Sequence, residues 1–264
     1  MRRTRPGRLL LSGFVALVYA FLLLPLLIVF PISFSSAQYL QFPPPGWSLQ
    51  WYGRYLNSPN WLTPTWLSLK VAVATTILSL LVGVPLAFGL SRARFWGRDA
   101  LEKLTAAPII VPTIVLSIAI YGLFANLKLI GVWYGIALAH TLLALPFVVV
   151  VVVAGLRDFD VHQELAALGL GASRWRAVWH VTLPQIRPSL VSAAFLAFIS
   201  SFDELVIAMF LGGSNMTLPK KMFDNIRMEI DPTIAAISAL QIVLVSALLA
   251  IAARFGSGGG LPDR

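Results

Sequence analysis

Long intervals without a charged residue dominate this chain and restrict what it can fold into. They cover residues 9–53, 71–91, 104–127, 129–156 and 233–253, and a further interval, 188–211, is interrupted only by Asp203 and Glu204. About 20 apolar residues are enough for a helix that crosses a bilayer. Since 58% of the residues are hydrophobic and 12% are charged, a soluble domain is excluded. The sequence predicts an all-α integral membrane protein with six transmembrane helices.

The order of these intervals predicts where the spans lie. The first apolar stretch is too long for the apolar region of a signal peptide, so we expect it to be an uncleaved span. The other spans are expected at about 64–90, 104–125, 132–156, 186–211 and 232–254. We find no second domain and no internal repeat, and therefore expect one membrane domain over residues 1–264. Its glycine-rich end, about 255–264, is predicted to be disordered.

The distribution of basic residues predicts the orientation of the chain. With six spans, the arginines at positions 2–8 and 92–98 and those at 174 and 176 lie on one side of the membrane. Cytoplasmic loops carry the excess of Lys and Arg in membrane proteins. Both termini are therefore expected in the cytoplasm.

Residues 157–187, hereafter the elbow, form a polar-rich interval between two apolar spans. Asp160 is a predicted N-cap, with Gln163 three residues later as its capping-box partner. The first helix is expected to end near Gly169 or Gly171, since glycine suits a helix C-terminus. Ser173 is a second predicted N-cap, followed by a short helix over about 174–181. Two short helices joined at a glycine turn would suit docking into a groove of another protein.

The elbow resembles the EAA loop of ABC-importer permeases, whose pattern is Glu-Ala-Ala, a glycine, and later Ile-x-Leu-Pro. With Gly171 as the motif glycine, Leu183 and Pro184 fall in register. The resemblance implies that this loop, over about 160–184, couples the permease to ATPase chains. The implied coupling residues are Glu164, Ala166, Ala167, Gly171, Leu183 and Pro184. One residue departs from the pattern: Leu165 occupies the acidic position and Glu164 precedes it, which rotates the carboxylate by about 100° on a helix.

Asp203 and Glu204 are the acidic residues within the predicted spans. Ionisable groups inside a span usually face a bundle interior or an aqueous cavity. On a continuous helix adjacent residues diverge by about 100°, so one of the two is expected to face a substrate pathway. The alternative is an ion pair or hydrogen bond to a neighbouring span, involving Lys70. His140, alone in an apolar span, is predicted to be a hydrogen-bond partner between helices.

The C-terminal region, including SFDELVIAMFLGG and TLPKKMFDNIRMEIDPTIAAISAL, resembles spermidine/putrescine-type permeases, specifically the second permease subunit. This resemblance implies the fold of a type I ABC-importer permease in a bacterial inner membrane. It also implies a second permease subunit, an ATPase dimer and an external solute-binding protein as partners. The implied function is ATP-driven import of polyamines or related cationic amines; opines, phosphonates and iron(III) are the alternative solutes.

Other classes of function are less well supported by the residues. The sequence contains no Gly-Lys pair and so no P-loop, and its histidines lack metal-ligand spacing. We therefore expect no catalytic residue, no metal site and no cofactor in this chain, with ATP and Mg²⁺ bound by the ATPase partners. A secondary transporter would be expected to show broken helices or inverted repeats. A purely structural subunit would use Asp203 and Glu204 only for packing.

Overall fold

A computed structural model describes residues 5–228 and 231–256, and side chains over 10–228 and 231–254. The helices are α1 (Arg5–Ser33), α2 (Gln50–Asn57), α3 (Pro59–Arg92), α4 (Arg98–Ile110), α5 (Thr113–Asn126), α6 (Trp133–Asp158), α7 (Val161–Gly169), α8 (Arg174–Ala177), a π-helical turn (Val178–Thr182), α9 (Leu183–Gln185), α10 (Arg187–Phe202), α11 (Val206–Leu211), α12 (Leu218–Met228) and α13 (Thr233–Gly256). Apart from an isolated bridge between Ser35 and Trp47, these ranges hold helices, turns and irregular segments. The predicted all-α class is confirmed. Of the predicted disordered tail, residues 257–264 lie outside the described residues.

Four helices among the described residues are long and apolar enough to cross a membrane, in α1, α3, α6 and α13. Two further spans are possible if each of two bent helix pairs is counted as one. The third and fifth predicted spans therefore contain breaks, and the count of six spans stays a prediction. The third apolar interval forms α4 and α5, which meet at 109°. The second bent pair, Arg174–Gln185 with α10, meets at 72° where the elbow joins the predicted fifth span. Within the fifth interval the helix is interrupted between Phe202 and Val206.

Proline explains the first of these bends. Val111 has extended backbone angles, φ −76° and ψ 130°, as the residue before a proline usually does, and Pro112 supplies no N–H to continue the helix. The stretch 203–205 has neither proline nor glycine, so the interruption within the fifth interval has another cause, described with the site below. A further difference is α12, which lies in a segment predicted to be an external loop.

The described chain divides into two compact units, residues 5–62 with 222–228 and 231–244, and residues 63–221 with 245–256. The prediction of one domain stays a prediction. In the first unit, Asp231 caps α13, because its carboxylate accepts hydrogen bonds from the Thr233 N–H at 2.9 Å and hydroxyl at 2.6 Å. Trp51 is buried there and donates its indole N–H to the Ser35 carbonyl at 2.8 Å.

The second unit contains the candidate site and is packed through small residues. Its core includes buried alanines of α3, α6 and α10, with Ala87, Ala144 and Ala193 at 0% exposure. A Cβ added at Gly83 would lie 2.7 Å from the Val148 side chain, and one at Gly155 would lie 2.2 Å from that of Ser189. Small residues let helix backbones approach closely in membranes. This packing holds α6 and α10 side by side, and α6 carries His140 while α10 ends beside Asp203.

Candidate functional site

The elbow contains the two short helices and the glycine turn that its sequence predicts. Asp160 caps α7 by accepting the His162 N–H at 3.0 Å, and Ser173 caps α8 by accepting the Arg176 N–H at 3.4 Å. Between them Gly171 has φ +90°, a conformation that side-chain-bearing residues rarely adopt. Local capping therefore sets the turn of the elbow.

Two details of the elbow differ from expectation. Gln163 is predicted to pair with Asp160 in a capping box. Its side chain instead accepts a hydrogen bond from the Gln185 side chain, on the other helix of the elbow. The second helix continues beyond the predicted end near position 181 through a π-helical turn into α9, which ends at Gln185. The wider turn admits Pro184 without a break in the helical path, since proline is tolerated at the start of a helical segment.

Glu164 is half-buried and is bound by two other side chains of the protein. Its Oε2 accepts hydrogen bonds from the Thr182 hydroxyl at 2.6 Å and from the Arg92 guanidinium at 2.5 Å, and its side chain is 13% exposed. Burial alone would raise the pKa of this carboxyl, but the hydrogen bonds from Thr182 and Arg92 and the positive charge of Arg92 together lower the pKa below its ordinary value. Glu164 thus joins α7 to the π-helical turn and to the end of α3. The one-residue offset from the motif places Leu165, 54% exposed, outward in its stead.

The remaining motif residues of the elbow lie at or near its surface. Ala166, Gly171 and Pro184 are exposed, and Ala167 and Leu183 are half-buried. Two large apolar side chains accompany them, since Leu170 is 91% and Trp175 is 70% exposed. Two short helices that expose large apolar side chains have the chemistry of a docking element.

The second candidate region is a cavity of about 450 Å³, hereafter the broken-span cavity, which is lined by both interrupted spans. Val111 and Thr113 line it from the break between α4 and α5, and Asp203, Glu204 and Leu205 line it from the break between α10 and α11. Irregular backbone at membrane depth is tolerated where it lines a cavity or lies within protein. The volume is within the range of small-molecule sites.

Asp203 and Glu204 have different environments within this cavity. Asp203 is exposed, whereas the Glu204 side chain is 8% exposed. The Glu204 carboxylate accepts hydrogen bonds from the backbone N–H groups of Val206, Ile207 and Ala208 at 3.0, 2.8 and 3.3 Å. It therefore caps α11, which explains why the fifth span is interrupted here without proline or glycine.

The partner of the acidic pair is a histidine of α6. His140 Nε2 lies 3.4 Å from Glu204 Oε2, and His140 Nδ1 lies 2.9 Å from the Ser201 hydroxyl. This confirms His140 as a hydrogen-bond partner between helices. Lys70, the partner considered from the sequence, instead places its ammonium group 3.7 Å from the centre of the Trp133 ring.

The sequence offered no local signal for several of these residues. Arg92 is 72 positions from Glu164, and His140 is 61 positions from Ser201. Thr75 and Ser201, which share a hydrogen bond of 3.2 Å, are 126 positions apart. Such contacts depend on which helices pack together, and spacing along one helix does not reveal them.

The decisive comparison is with protein families. Residues 79–256 match the model of the family described as the binding-protein-dependent transport system inner membrane component. The chain belongs to this family. It is a transport permease subunit with the fold of ABC-importer permeases, and ATP hydrolysis in such importers belongs to other chains.

Individual relatives agree with the family. The permease is 32% identical over 262 residues to the spermidine/putrescine transport system permease protein PotC of Shigella flexneri, covering 96% of this chain and 98% of the relative. It is also 32% identical to the putrescine transport system permease protein PotI of Escherichia coli strain K12, with 84% and 82% covered.

A solved structure shares the fold at low sequence identity. The permease matches a chain of the crystal structure of a bacterial ABC transporter involved in the import of the acidic polysaccharide alginate, with TM-score 0.75, 20% identity and coverage of 97% and 99%. The broken helices seen here do not indicate a secondary transporter, because the family match assigns the permease to binding-protein-dependent systems.

Proposed function

We propose that this permease belongs to an ATP-driven importer for polyamines or related cationic amines. The observation that carries the proposal is the exposed carboxylate of Asp203 in the broken-span cavity. An ammonium group loses its hydration when it enters a membrane protein and needs a negative partner there. Similarity to permeases named for spermidine and putrescine supports the same class of solute.

The two acidic residues have different parts in this proposal. Asp203 offers its carboxylate to the passing ammonium group. Glu204 lines the same cavity, but three backbone N–H groups occupy its oxygens, so it shapes the pathway through the cap of α11. Transient contact at Asp203 suffices because an external binding protein selects the solute before delivery. A weak site also lets the solute leave on the other side.

The elbow is the proposed coupling element. Ala166, Ala167, Gly171, Leu183 and Pro184 would form its contact with the ATPase. Glu164 keeps the two helices of the elbow together through Thr182 and joins them to α3 through Arg92. A rigid elbow transmits the closure of the ATPase dimer to the spans. The spans then alternate between two states whose populations nucleotide and the loaded binding protein bias.

The proposal extends to partners and orientation. The partners are a second permease subunit, an ATPase dimer that binds ATP and Mg²⁺, and an external solute-binding protein. This chain binds no cofactor of its own. Both termini lie in the cytoplasm of a bacterium, so the elbow faces the ATPases.

The function is tested by purifying the tagged permease in mild detergent with the proteins that accompany it, and by reconstituting that complex with its binding protein. We expect an ATPase and a second permease in the complex, and ATP-dependent uptake of radiolabelled spermidine or putrescine. Uptake that an excess of unlabelled polyamine leaves unchanged would contradict the substrate class. A complex without an ATPase would contradict the importer.

Orientation has a separate test, because the sequence contains no cysteine. Single cysteines at positions 174 and 220 are treated with a membrane-impermeant thiol reagent outside intact spheroplasts. We expect labelling at 220 and none at 174 until the membrane is opened. Labelling at 174 from outside would overturn the orientation.

A further inference from the structure

His140 lies in a buried chain of hydrogen bonds whose direction is determined by its last member. The Thr75 hydroxyl donates to the Ala137 carbonyl at 3.2 Å, an acceptor that has no hydrogen to give. Because the Thr75 hydrogen is used there, its oxygen accepts from the Ser201 hydroxyl, 3.2 Å away. Ser201 has then used its own hydrogen, so its oxygen accepts from His140 Nδ1 at 2.9 Å. His140 therefore carries a hydrogen on Nδ1.

This assignment has a consequence for the other ring nitrogen. A neutral imidazole holds one hydrogen, so a neutral His140 would have no hydrogen on Nε2, which lies 3.4 Å from Glu204 Oε2. Two acceptors would then lie side by side at a place where the His140 side chain is 1% and the Glu204 side chain is 8% exposed. Nε2 has no hydrogen-bond partner in the described structure. A second hydrogen on the ring turns this repulsion into an ion pair.

We propose that His140 is an imidazolium ion that neutralises Glu204, which leaves Asp203 as the uncompensated negative charge of this acidic pair in the broken-span cavity. The proton belongs to the ring because the Glu204 carboxylate already accepts three backbone N–H groups, which stabilise its negative charge. His140 is thus a positioning residue. It acts through Glu204, whose carboxylate starts α11 and fixes the backbone that presents Asp203.

The consequence of this ion pair for the choice of solute rests on the proposed function. A single free carboxylate pairs with one ammonium group at a time, so a polyamine would pass by successive exchange of its ammonium groups at Asp203. Two uncompensated negative charges at adjacent positions would instead favour one doubly charged group, such as a divalent cation. The ion pair of His140 with Glu204 therefore adapts the cavity to amines.

The test uses ¹⁵N-histidine NMR of the full-length permease in lipid bilayers. The sequence has three histidines, so His162→Gln with His180→Gln leaves His140 as the single signal. At pH 7 we expect both ring nitrogens to be protonated. In this background Glu204→Gln should convert the ring to the neutral form with hydrogen on Nδ1, whereas the matched neighbour Asp203→Asn should leave the imidazolium signal unchanged.

A neutral ring in the permease with both acidic residues intact would overturn the proposal, and this result does not depend on any variant's folding. An imidazolium that survives Glu204→Gln and disappears in Asp203→Asn would overturn it as well. As a second measurement, we expect a higher melting temperature for the double variant His140→Gln with Glu204→Gln than for His140→Gln alone, which leaves the carboxylate buried without its counter-charge. An equal or lower melting temperature of the double variant would contradict the pair. The NMR experiment contains no solute, so a failure of the polyamine assignment appears only in the uptake assay.

Discussion

The elbow and the broken-span cavity each contain a half-buried glutamate beside an interruption of helix, but they hold it differently. Glu164 is held by side chains, those of Thr182 and Arg92, and it joins helical segments that stay near the surface. Glu204 is held by backbone N–H groups and by His140 deep in the second unit. Side-chain contacts of Glu164 join the helical segments of the elbow, whereas the backbone contacts of Glu204 accompany an irregular segment that lines a cavity. One arrangement suits transmission of force and the other suits passage of a solute.

The largest effect is expected for a substitution of Asp203 in the broken-span cavity, which should reduce uptake without affecting the elbow. Asp203→Asn removes the free carboxylate while keeping the side-chain volume. We expect uptake of spermidine to fall by about tenfold or more, since a lost charge interaction worth about 1.4 kcal/mol already gives tenfold. Membrane abundance and ATPase assembly should stay near wild type. Initial uptake rates in proteoliposomes measure this.

The matched control for Asp203 is Asp158→Asn, which neutralises an exposed aspartate at the end of α6. We expect it to leave uptake unchanged. Wild-type uptake in Asp203→Asn would remove the carboxylate from the pathway. Equal losses in both variants would point to a general effect of charge on the permease.

A smaller effect is expected in the elbow at Gly171. An added Cβ meets no atom within 4 Å there, so Gly171→Ala acts through its φ of +90°. Holding alanine in this conformation costs of order 1–3 kcal/mol and shifts the turn. We expect the stimulation of ATP hydrolysis by loaded binding protein to fall severalfold, with the variant still in the membrane. The ATPase rate with and without binding protein checks this.

Gly169 provides the comparison for Gly171. Its Cβ position is equally open and its φ is outside the left-handed region, so Gly169→Ala should retain normal stimulation. If both variants couple normally, the conformation of the glycine turn is not required for coupling. If Gly169→Ala and Gly171→Ala both lose the stimulation of ATP hydrolysis, the loss results from the added methyl group on the elbow and not from the backbone conformation of Gly171.

The smallest effect is expected from Glu164→Gln and depends on pH. Because the folded pKa of Glu164 is lowered, its ionised form stabilises the fold above the ordinary value of 4.5, and this stabilisation is lost as the pH falls through the lowered folded pKa. We expect the variant to be less stable than wild type by about 1 kcal/mol at pH 7. The difference should shrink steadily below pH 4.5. Melting curves in detergent at several pH values measure it.

Glu102→Gln is the control for Glu164, because Glu102 is an exposed glutamate of α4. It should show no such pH-dependent difference. A difference between wild type and Glu164→Gln that grows as the pH falls would reverse the sign and contradict the hydrogen-bonded, ionised state of Glu164.

The sequence predicts those features that depend on contacts between residues close together in the chain. The caps at Asp160 and Ser173 and the turn at Gly171 act within a few residues, and all three are confirmed. The break after Phe202 depends on Glu204 as a cap, a role for which Ser, Thr, Asp and Asn are the usual signals. Its carboxylate also needs His140 from another helix, and a single sequence does not show that pairing.

The bend at Pro112 has a local signal, the proline itself, but the apolar character of the whole interval favours a single span. The interval 104–127 has the length and composition of one span, and proline is tolerated inside transmembrane helices. Apolar content therefore predicts that this stretch lies in the membrane, and it cannot distinguish a straight helix from two helices meeting at 109°. For the same reason the sequence does not predict the cavity at that bend.

The division of labour between the two regions is tested most directly by measuring uptake and ATP hydrolysis in the same proteoliposomes for Asp203→Asn and Gly171→Ala. For Asp203→Asn we predict that uptake falls while loaded binding protein still stimulates hydrolysis. For Gly171→Ala we predict that the stimulation itself is lost, and uptake falls with it. The same pattern of losses in both variants would contradict separate sites for solute passage and for coupling.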